Sequence, residues 1–354
     1  MVPITSVRDH RLDITKGVLI CLVVLGHLLE GMNNWKVPES RVPLTIIYAF
    51  HMPAFAFLAG ITTKPTNLVR RVGPLLVLLV LFQIAYYWTV QLLGLKRTFA
   101  LDTPFWILWF LFALACWTML TPVMARFPKA STTVVIAAAL MAITVPWIGY
   151  PYSAARMLAF LPFFTVGFLY GKRILAWTAA ATWPLKCALS AGSVVAIVVL
   201  LRAQLTPRWF YGSASAEALN AGQLEAVVVR SGLMVGAAVL TVTLLAFLPN
   251  RKTIWATVGR RSLSVYLLHG FFVLTFSASL ARMFDAGHLR TLLLVAVLAV
   301  GTVTICAAPG LDSMLRKIST APFAQPKSAG IGAQQGATTL APAGEPVTRR
   351  SLRR

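Results

Sequence analysis

The chain has 354 residues, of which 58% are hydrophobic and only 12% are charged, and its mean hydropathy is +0.76. In soluble domains about a quarter of the residues are charged, so this composition excludes an ordinary soluble domain and predicts a multi-pass membrane protein. The net charge of +22 comes from Lys and Arg residues in short loops between apolar runs, a pattern typical of membrane topology that argues against a nucleic-acid partner.

Apolar runs long enough to cross a bilayer follow one another along the chain. They cover residues 12–31, 43–61, 72–95, 104–124, 131–149, 155–171, 185–203, 226–248, 259–281 and 290–308. We therefore predict an all-α, polytopic bundle of about ten transmembrane helices, with an integral membrane domain over residues 1–319. Residues 320–354 are rich in Pro, Ala, Gly and Gln and end in a basic cluster, which favours a disordered cytoplasmic tail.

The distribution of positive charge predicts the orientation of the bundle. Ten crossings place both termini on one side of the membrane. If the N-terminus is cytoplasmic, 22 of the 32 Lys and Arg residues fall on inner segments. The positive-inside rule therefore predicts an N-in, C-in topology.

The four cysteines fall in four different apolar runs, and none has a cysteine or histidine nearby at ligand spacing. We expect neither a disulfide framework nor a metal site, and interpret these residues as small packing side chains.

The first apolar run, RLDITKGVLICLVVLGHLLE, places Lys16 near one boundary and His27 near mid-depth. The step of eleven residues between them makes almost three turns of an α-helix, so both side chains share one face, about 16 Å apart. A cation at the membrane boundary and an imidazole deeper inside suit a reaction whose donor and acceptor arrive from opposite sides. The alternative is that Lys16 extends to the interface and His27 is a packing residue.

Two more membrane runs contain a histidine. His51 lies in IIYAFHMPAFAFLAG, where Pro53 is expected to kink the helix and help to line a cavity; the alternative is an ordinary proline kink beside a buried histidine. His269 lies in VGRRSLSVYLLHGFF. With the N-terminus inside, His27, His51 and His269 fall at similar depth, as an acid/base site inside a bundle requires.

Other candidates lie nearer the membrane boundaries. The basic pair Arg260 and Arg261 stands at the cytoplasmic start of the ninth run, and Tyr266 follows about one turn further in. Arg156 lies at the outer boundary of the sixth run, and Trp109 belongs to an aromatic-rich fourth run. An arginine at such a boundary either faces a substrate or extends to solvent, and an aromatic cluster there also forms an interfacial belt.

The motifs in these runs resemble the membrane acyltransferase-3 family, in the branch similar to fucose 4-O-acetylase. LDITKGVLICLVVLGH resembles its opening LDxxKGxxIxLVVxGH, and FHMPAFAFLAG resembles FHMPxFFFxSG, with Ala59 in place of the usual Ser. FWILWFLFAL, RMLAFLPFFTVG and GRRSLSVYLLHGFF resemble the family's WFL, R-x-x-x-F-x-PFF-x-x-G and GxxSLxxYLLH motifs. The five motifs occur in the family's order and cover about residues 8–310.

This resemblance implies transfer of an acyl group, usually acetyl from cytoplasmic acetyl-CoA, to a sugar hydroxyl of an envelope glycan or glycolipid. It implies that His27 is the catalytic base, that His51 and His269 line the same pocket, and that Lys16 meets the phosphates of the donor. Lys16 stands where the broader family has Arg, so the charge is kept and bidentate phosphate geometry is lost. Acetyl-CoA is a substrate here, and no permanently bound cofactor is expected.

The remaining site residues complete this hypothesis. Arg156, Trp109 and Tyr266 are expected to help bind the acceptor, and Arg260 and Arg261 to draw in the anionic donor. A multi-pass protein of the plasma membrane, in a bacterium the inner membrane, is the expected location.

Two other classes of function are compatible with part of the pattern. A transporter or flippase for a lipid-linked sugar or small anion would explain the membrane histidines and the basic boundaries, but the chain shows no inverted repeat of the kind many transporters have. A structural or sensory membrane protein would not need an aligned Lys16 and His27.

Overall fold

The computed structural model describes residues 9–33, 35–95, 100, 102–148, 151–286 and 288–324. Within these residues the secondary structure is helical, and nine helices are long and apolar enough to cross a membrane. The α-helices are α1 (Arg11–Asn33), α2 (Pro38–Thr62), α3 (Leu68–Leu92), α4 (Trp109–Arg126), α5 (Pro128–Met141), α6 (Ala154–Ala179), α7 (Trp183–Arg202), α8 (Pro207–Tyr211), α9 (Gln223–Phe247), α10 (Ile254–Arg260), α11 (Ser262–Ala286), α12 (His288–Cys306) and α13 (Pro309–Thr320). The prediction of an all-α membrane bundle is confirmed. The part of the predicted tail beyond residue 324 lies outside the described residues.

The fifth predicted crossing, 131–149, is shorter than expected. Helix α5 ends at Met141, and the residues that follow lead into Pro146, which disfavours helical conformation in the residue before it. A helix of 14 residues is about 21 Å long, less than the roughly 30 Å of a bilayer core. Tyr152 N donates to Asp102 O (2.6 Å), which places the start of α6 beside the chain that leads into α4.

Two other runs differ from their predicted bounds. The sixth, predicted as 155–171, continues to Ala179, because the charged residues Lys172 and Arg173 end the apolar run without ending the helix. The ninth, predicted as 259–281, is divided between α10 and α11.

One end of the bundle contains the N-terminus of α1, and we call it the Lys16 end. His10 N donates to Asn250 Oδ1 (2.8 Å), and Arg11 Nη1 donates to the carbonyl of Leu175 (3.2 Å). These bonds place the C-terminal ends of α6 and α9 beside the start of α1.

The opposite end contains the C-terminal part of α1, and we call it the Glu30 end. Arg41 Nη2 donates to the carbonyl of Leu205 (3.2 Å), and Ala216 N donates to the carbonyl of Ile143 (2.7 Å). The connection between α7 and α9, residues 203–222, therefore packs against the start of α2 and the chain after α5.

The last described helices return to the Lys16 end. Ser264 Oγ, in the first turn of α11, donates to the carbonyl of Cys306 at the end of α12 (2.6 Å). The ring of Phe323 packs on Gly73 near the start of α3. The start of α1 and the last α-helix, α13, therefore lie at the same end of the bundle.

Helix α1 is central and packs against α2, α10, α11 and α12. Its contact with α10 depends on two glycines: a Cβ atom at Gly17 would collide with the carbonyl of Trp255, and one at Gly259 would collide with the carbonyl of Asp13. Small residues allow such close approach of helices in a membrane. Because α11 follows α10 directly, this contact also sets the distance between α1 and α11.

A second glycine contact joins α2 to α6. A Cβ atom at Gly60 would collide with the carbonyl of Phe164, and one at Gly167 would collide with the carbonyl of Phe57. The two helices therefore cross with their backbones in contact. The contact joins the last turns of α2 to the middle of α6.

Substituting Gly259 with Ala should destabilise the protein by about 1–3 kcal/mol, because the added methyl group overlaps the backbone of α1 and cannot be relieved by a side-chain rotation. The measurement is thermal unfolding of the detergent-purified protein. Gly301→Ala in α12 is the matched control, since a methyl group there meets nothing within 4 Å and should be neutral or slightly stabilising. Equal midpoints for the two variants would contradict the packing argument.

Candidate active site

A cavity of about 890 Å³ extends along the face of α1 that carries Lys16 and His27. Its lining begins near Lys16 and Ser262 and reaches Glu30 and Tyr211 at the opposite end. Aromatic side chains form much of its wall: Phe55, Trp106, Trp109, Phe110, Phe160 and Phe210. His27 lies between the two ends, so groups entering from either end can meet at its imidazole.

A hydrogen-bonded network surrounds His27. Its Nδ1 lies 3.1 Å from the hydroxyl of Tyr48 and 3.5 Å from Glu30 Oε2. The hydroxyl of Tyr48 donates to Glu30 Oε2 (2.6 Å), and the hydroxyl of Tyr211 donates to Glu30 Oε1. One carboxylate therefore connects α1, α2 and α8.

This network determines which nitrogen of His27 carries the proton. The single hydroxyl proton of Tyr48 is donated to Glu30, so the Tyr48 oxygen accepts from His27 Nδ1–H. The other ring nitrogen, Nε2, is then the proton acceptor. A base whose second nitrogen is oriented by a carboxylate is the arrangement expected for general-base chemistry.

The other two predicted histidines lie in the same cavity lining. His51 Nδ1 lies 2.8 Å from the carbonyl of Ile47, and His269 Nδ1 lies 3.0 Å from the carbonyl of Val265. Because a carbonyl only accepts, Nδ1 carries the proton in both, and each Nε2 is an acceptor. The ring of His269 is stacked on that of His27 at 5.5 Å, and its buried Nε2 has no hydrogen-bond partner within the described residues.

Trp106 closes another side of the His27 pocket. Its indole ring lies 5.0 Å from the His27 ring in an edge-on geometry. The φ angle of Trp106 is +36°, a region that costs a non-glycine residue roughly 1–3 kcal/mol. Backbone strain beside the imidazole is typical of a functional site.

Of the three predicted donor-binding cations, Lys16 lines the cavity. Arg260 and Arg261 lie at the same end of the bundle but are not among the described residues that line it. Arg260 Nη2 donates to Thr257 Oγ1 (3.1 Å), and Arg261 Nη1 donates to the carbonyl of Ala307 (2.9 Å). The contact of Arg261 joins the start of α11 to the end of α12.

The three predicted acceptor-binding residues all line the cavity. The guanidinium of Arg156 lies over the ring of Trp109, 5.7 Å from its centroid, in a cation–π geometry. Tyr266 donates its hydroxyl proton to the carbonyl of Ile107. That bond fixes the ring of Tyr266 as part of the wall.

Sequence reasoning missed Glu30, Tyr48 and Tyr211. Glu30 had a readable signal, because it stands three residues after His27 and therefore on the same helix face. Tyr48 stands three residues before His51. Tyr211 lies in the loop 204–225, whose sequence suggests contact with a polar acceptor but gives no helical spacing that relates Tyr211 to His27. Burial, together with the charge of Glu30, raises the pKa of the Tyr211 phenol, which keeps it a proton donor.

Comparisons with known proteins agree with the motif series. The model of the acyltransferase-3 family, described as an acyltransferase domain, matches residues 9–310. Nodulation protein NolL of Sinorhizobium fredii (strain NBRC 101917 / NGR234) is 33% identical over 195 residues, which are 47% of this chain and 50% of that protein. Nodulation protein NolL of Mesorhizobium japonicum (strain LMG 29417 / CECT 9101 / MAFF 303099) is 28% identical over 205 residues, 51% of this chain and 52% of that protein.

The chain therefore spans about half the length of the curated relatives it matches. No solved structure matches it at a significant level.

Substituting Glu30 with Gln should allow His27 to adopt both neutral tautomers. The amide keeps the size of the side chain but can either donate or accept, so Nδ1–H is no longer the single favoured state. We expect ¹⁵N chemical shifts of labelled His27 to report one tautomer in the wild type and a mixture in Glu30→Gln. Glu39→Gln, in the first turn of α2, is the control. A wild-type protein that already shows a mixture would contradict the network described above.

Proposed function

The chain belongs to the acyltransferase-3 family, and we propose that it is a membrane O-acyltransferase that moves an acetyl group from acetyl-CoA to a sugar hydroxyl of an envelope or extracellular glycan or glycolipid. The observation that carries this proposal is the position of His27 in the cavity, between Lys16 and the Glu30 end. The two substrates can then approach one imidazole from opposite ends.

The donor enters from the Lys16 end. The ammonium group of Lys16 attracts the phosphates of CoA as a point charge, and the thioester points along the cavity toward His27. Lys16 and His27 are about 16 Å apart along α1, so the carrier and its reactive end occupy different parts of the same cavity. Arg260 and Arg261 contribute positive potential at this end without lining the cavity.

Nε2 of His27 is the general base. The acceptor hydroxyl loses its proton to Nε2 as its oxygen bonds to the thioester carbonyl carbon. The tetrahedral intermediate then collapses, the carbon–sulfur bond breaks, and the CoA thiolate takes the proton back from the imidazolium. Positioned base catalysis supplies roughly 10²–10⁴ in rate, and alignment of the two substrates in a water-poor cavity supplies the rest.

The proposal extends to orientation. The Lys16 end faces the cytoplasm, in agreement with the excess of positive charge on the segments at that end, and the Glu30 end faces outward. The membrane is the plasma membrane, in a bacterium the inner membrane. His51 and His269 line the same pocket, and the Nε2 atom of each can accept a hydrogen bond from the sugar hydroxyl.

Substituting His27 with Ala should lower acetyl transfer by at least 10²-fold, because the base is removed while the two substrate sites remain. Membranes containing the protein are supplied with radiolabelled acetyl-CoA, and label in the glycan fraction is measured. His288→Ala, at the exposed start of α12, is the matched control and should keep wild-type transfer. Near-wild-type transfer by a correctly inserted His27→Ala protein would show that the base lies elsewhere.

Substituting Lys16 with Met should raise the KM for acetyl-CoA by about tenfold with a smaller effect on kcat, because a charge–phosphate contact is lost from binding. Lys16→Arg should retain most of the affinity. Initial rates are measured in sealed inside-out vesicles with acetyl-CoA added outside. The same donor added to right-side-out vesicles should support no transfer, and activity there would contradict the proposed orientation.

A further inference from the structure

Arg230 is a buried cation that the proposed reaction does not use. It lies about two turns from the start of α9, and only 5% of its surface is exposed. Within the described residues, its Nε has no hydrogen-bond partner and no carboxylate forms an ion pair with it. A charged group at membrane depth is costly unless something pairs with it, and such residues commonly mark a substrate path.

The guanidinium of Arg230 lies directly behind the cavity wall at the Glu30 end. A Cβ atom at Gly212, where φ is +66°, would be 3.5 Å from Arg230 Nη1 and 3.4 Å from the ring of Phe160. Gly212 has no side chain to separate the guanidinium from this part of the wall. Its chain neighbours Tyr211 and Ser213, and also Phe160, line the cavity.

The cavity lining at this end is itself positively charged. Arg156 and Arg208 contribute to it, and Glu30 is the one carboxylate among the described lining residues. Both oxygens of Glu30 already accept hydroxyl protons, from Tyr48 and Tyr211. An acceptor bound at this end would therefore lie beside two guanidinium groups and one carboxylate.

We propose that the Glu30 end of the cavity is an anion subsite, and that the acceptor is an acidic glycan whose carboxylate or phosphate binds to Arg156 with Arg230 behind it. This inference rests on the proposed function, because it names the class of acceptor for the same cavity. The phosphates of the donor do not account for it: Lys16 and Glu30 are separated by fourteen residues of α1, about 21 Å.

The first arm of the test compares matched probes on the full chain in nanodiscs. Methyl β-glucuronide is compared with methyl β-glucoside, and methyl mannoside 6-phosphate with methyl mannoside, which separates carboxylate from phosphate. Radiolabelled acetyl transfer gives kcat/KM for each probe. Thermal unfolding without acetyl-CoA reports binding whether or not turnover occurs. For at least one pair we expect the acidic probe to have a kcat/KM about tenfold higher or more and to raise the unfolding midpoint.

The second arm locates the preference. Arg230→Met and Arg156→Met should each bring the ratio of kcat/KM for the acidic probe to kcat/KM for the neutral probe close to one. Arg230→Lys should keep part of this preference. Arg202→Met is the matched control, because Arg202 is an exposed arginine at the end of α7 on the same side of the bundle. Arg230→Met removes a buried charge that has no ion-pair partner in the described part of the chain, so its unfolding midpoint should equal or exceed that of the wild type.

Each outcome has one meaning. Equal rates and equal binding for acidic and neutral probes would overturn the inference even if both sugars are acetylated. If the preference for acidic probes survives in Arg230→Met and Arg156→Met, the subsite does not lie at these two residues. The same conclusion follows if these variants bind desulfo-CoA more weakly but keep the preference for acidic sugars. If no sugar is acetylated but acidic probes still stabilise the protein in an Arg230-dependent way, the anion subsite stands and the proposed reaction fails.

Discussion

The carboxylate of Glu30 is the interaction on which the site depends. A carboxylate inside a membrane bundle is strongly destabilised unless donors surround it. Here two hydroxyl groups from separate elements donate to it, Tyr48 on α2 and Tyr211 on α8, and the imidazole of His27 lies 3.5 Å away. The same contacts that make the buried charge tolerable also orient the imidazole. Stability and chemistry therefore rest on one set of hydrogen bonds.

The backbone contacts through glycine bring these elements to the right distance. The approach of α10 to α1 at Gly17 and Gly259 carries α11 with it, which places His269 against His27. Between the charged ends of the cavity, the walls are aromatic and the histidines are the main polar groups. Cations at both ends and an aromatic middle fit the proposed reaction, in which the two substrates meet at the centre.

Most of the fold could be predicted from the sequence, because a bilayer requires apolar helices of a minimum length and the chain has few ways to meet that requirement. The errors arose where hydropathy and helix geometry disagree. The run 131–149 contains no charged residue, but Pro146 disfavours a single helix over its whole length. The run predicted as 155–171 ends there because Lys172 and Arg173 are charged. The helix itself continues to Ala179, since charged side chains do not interrupt backbone hydrogen bonding.

Within the site, the sequence by itself determined what one helix contains: helical periodicity places Lys16 and His27 on a common face, and both line the cavity. Only the tertiary structure decided what approaches that face from elsewhere. Tyr211 reaches Glu30 across 181 residues of chain, and Arg261 is directed to the end of α12 rather than into the cavity. Periodicity describes the direction of a side chain about its own helix axis. Which groups from other helices meet that side chain depends on packing, and packing is a property of the whole bundle.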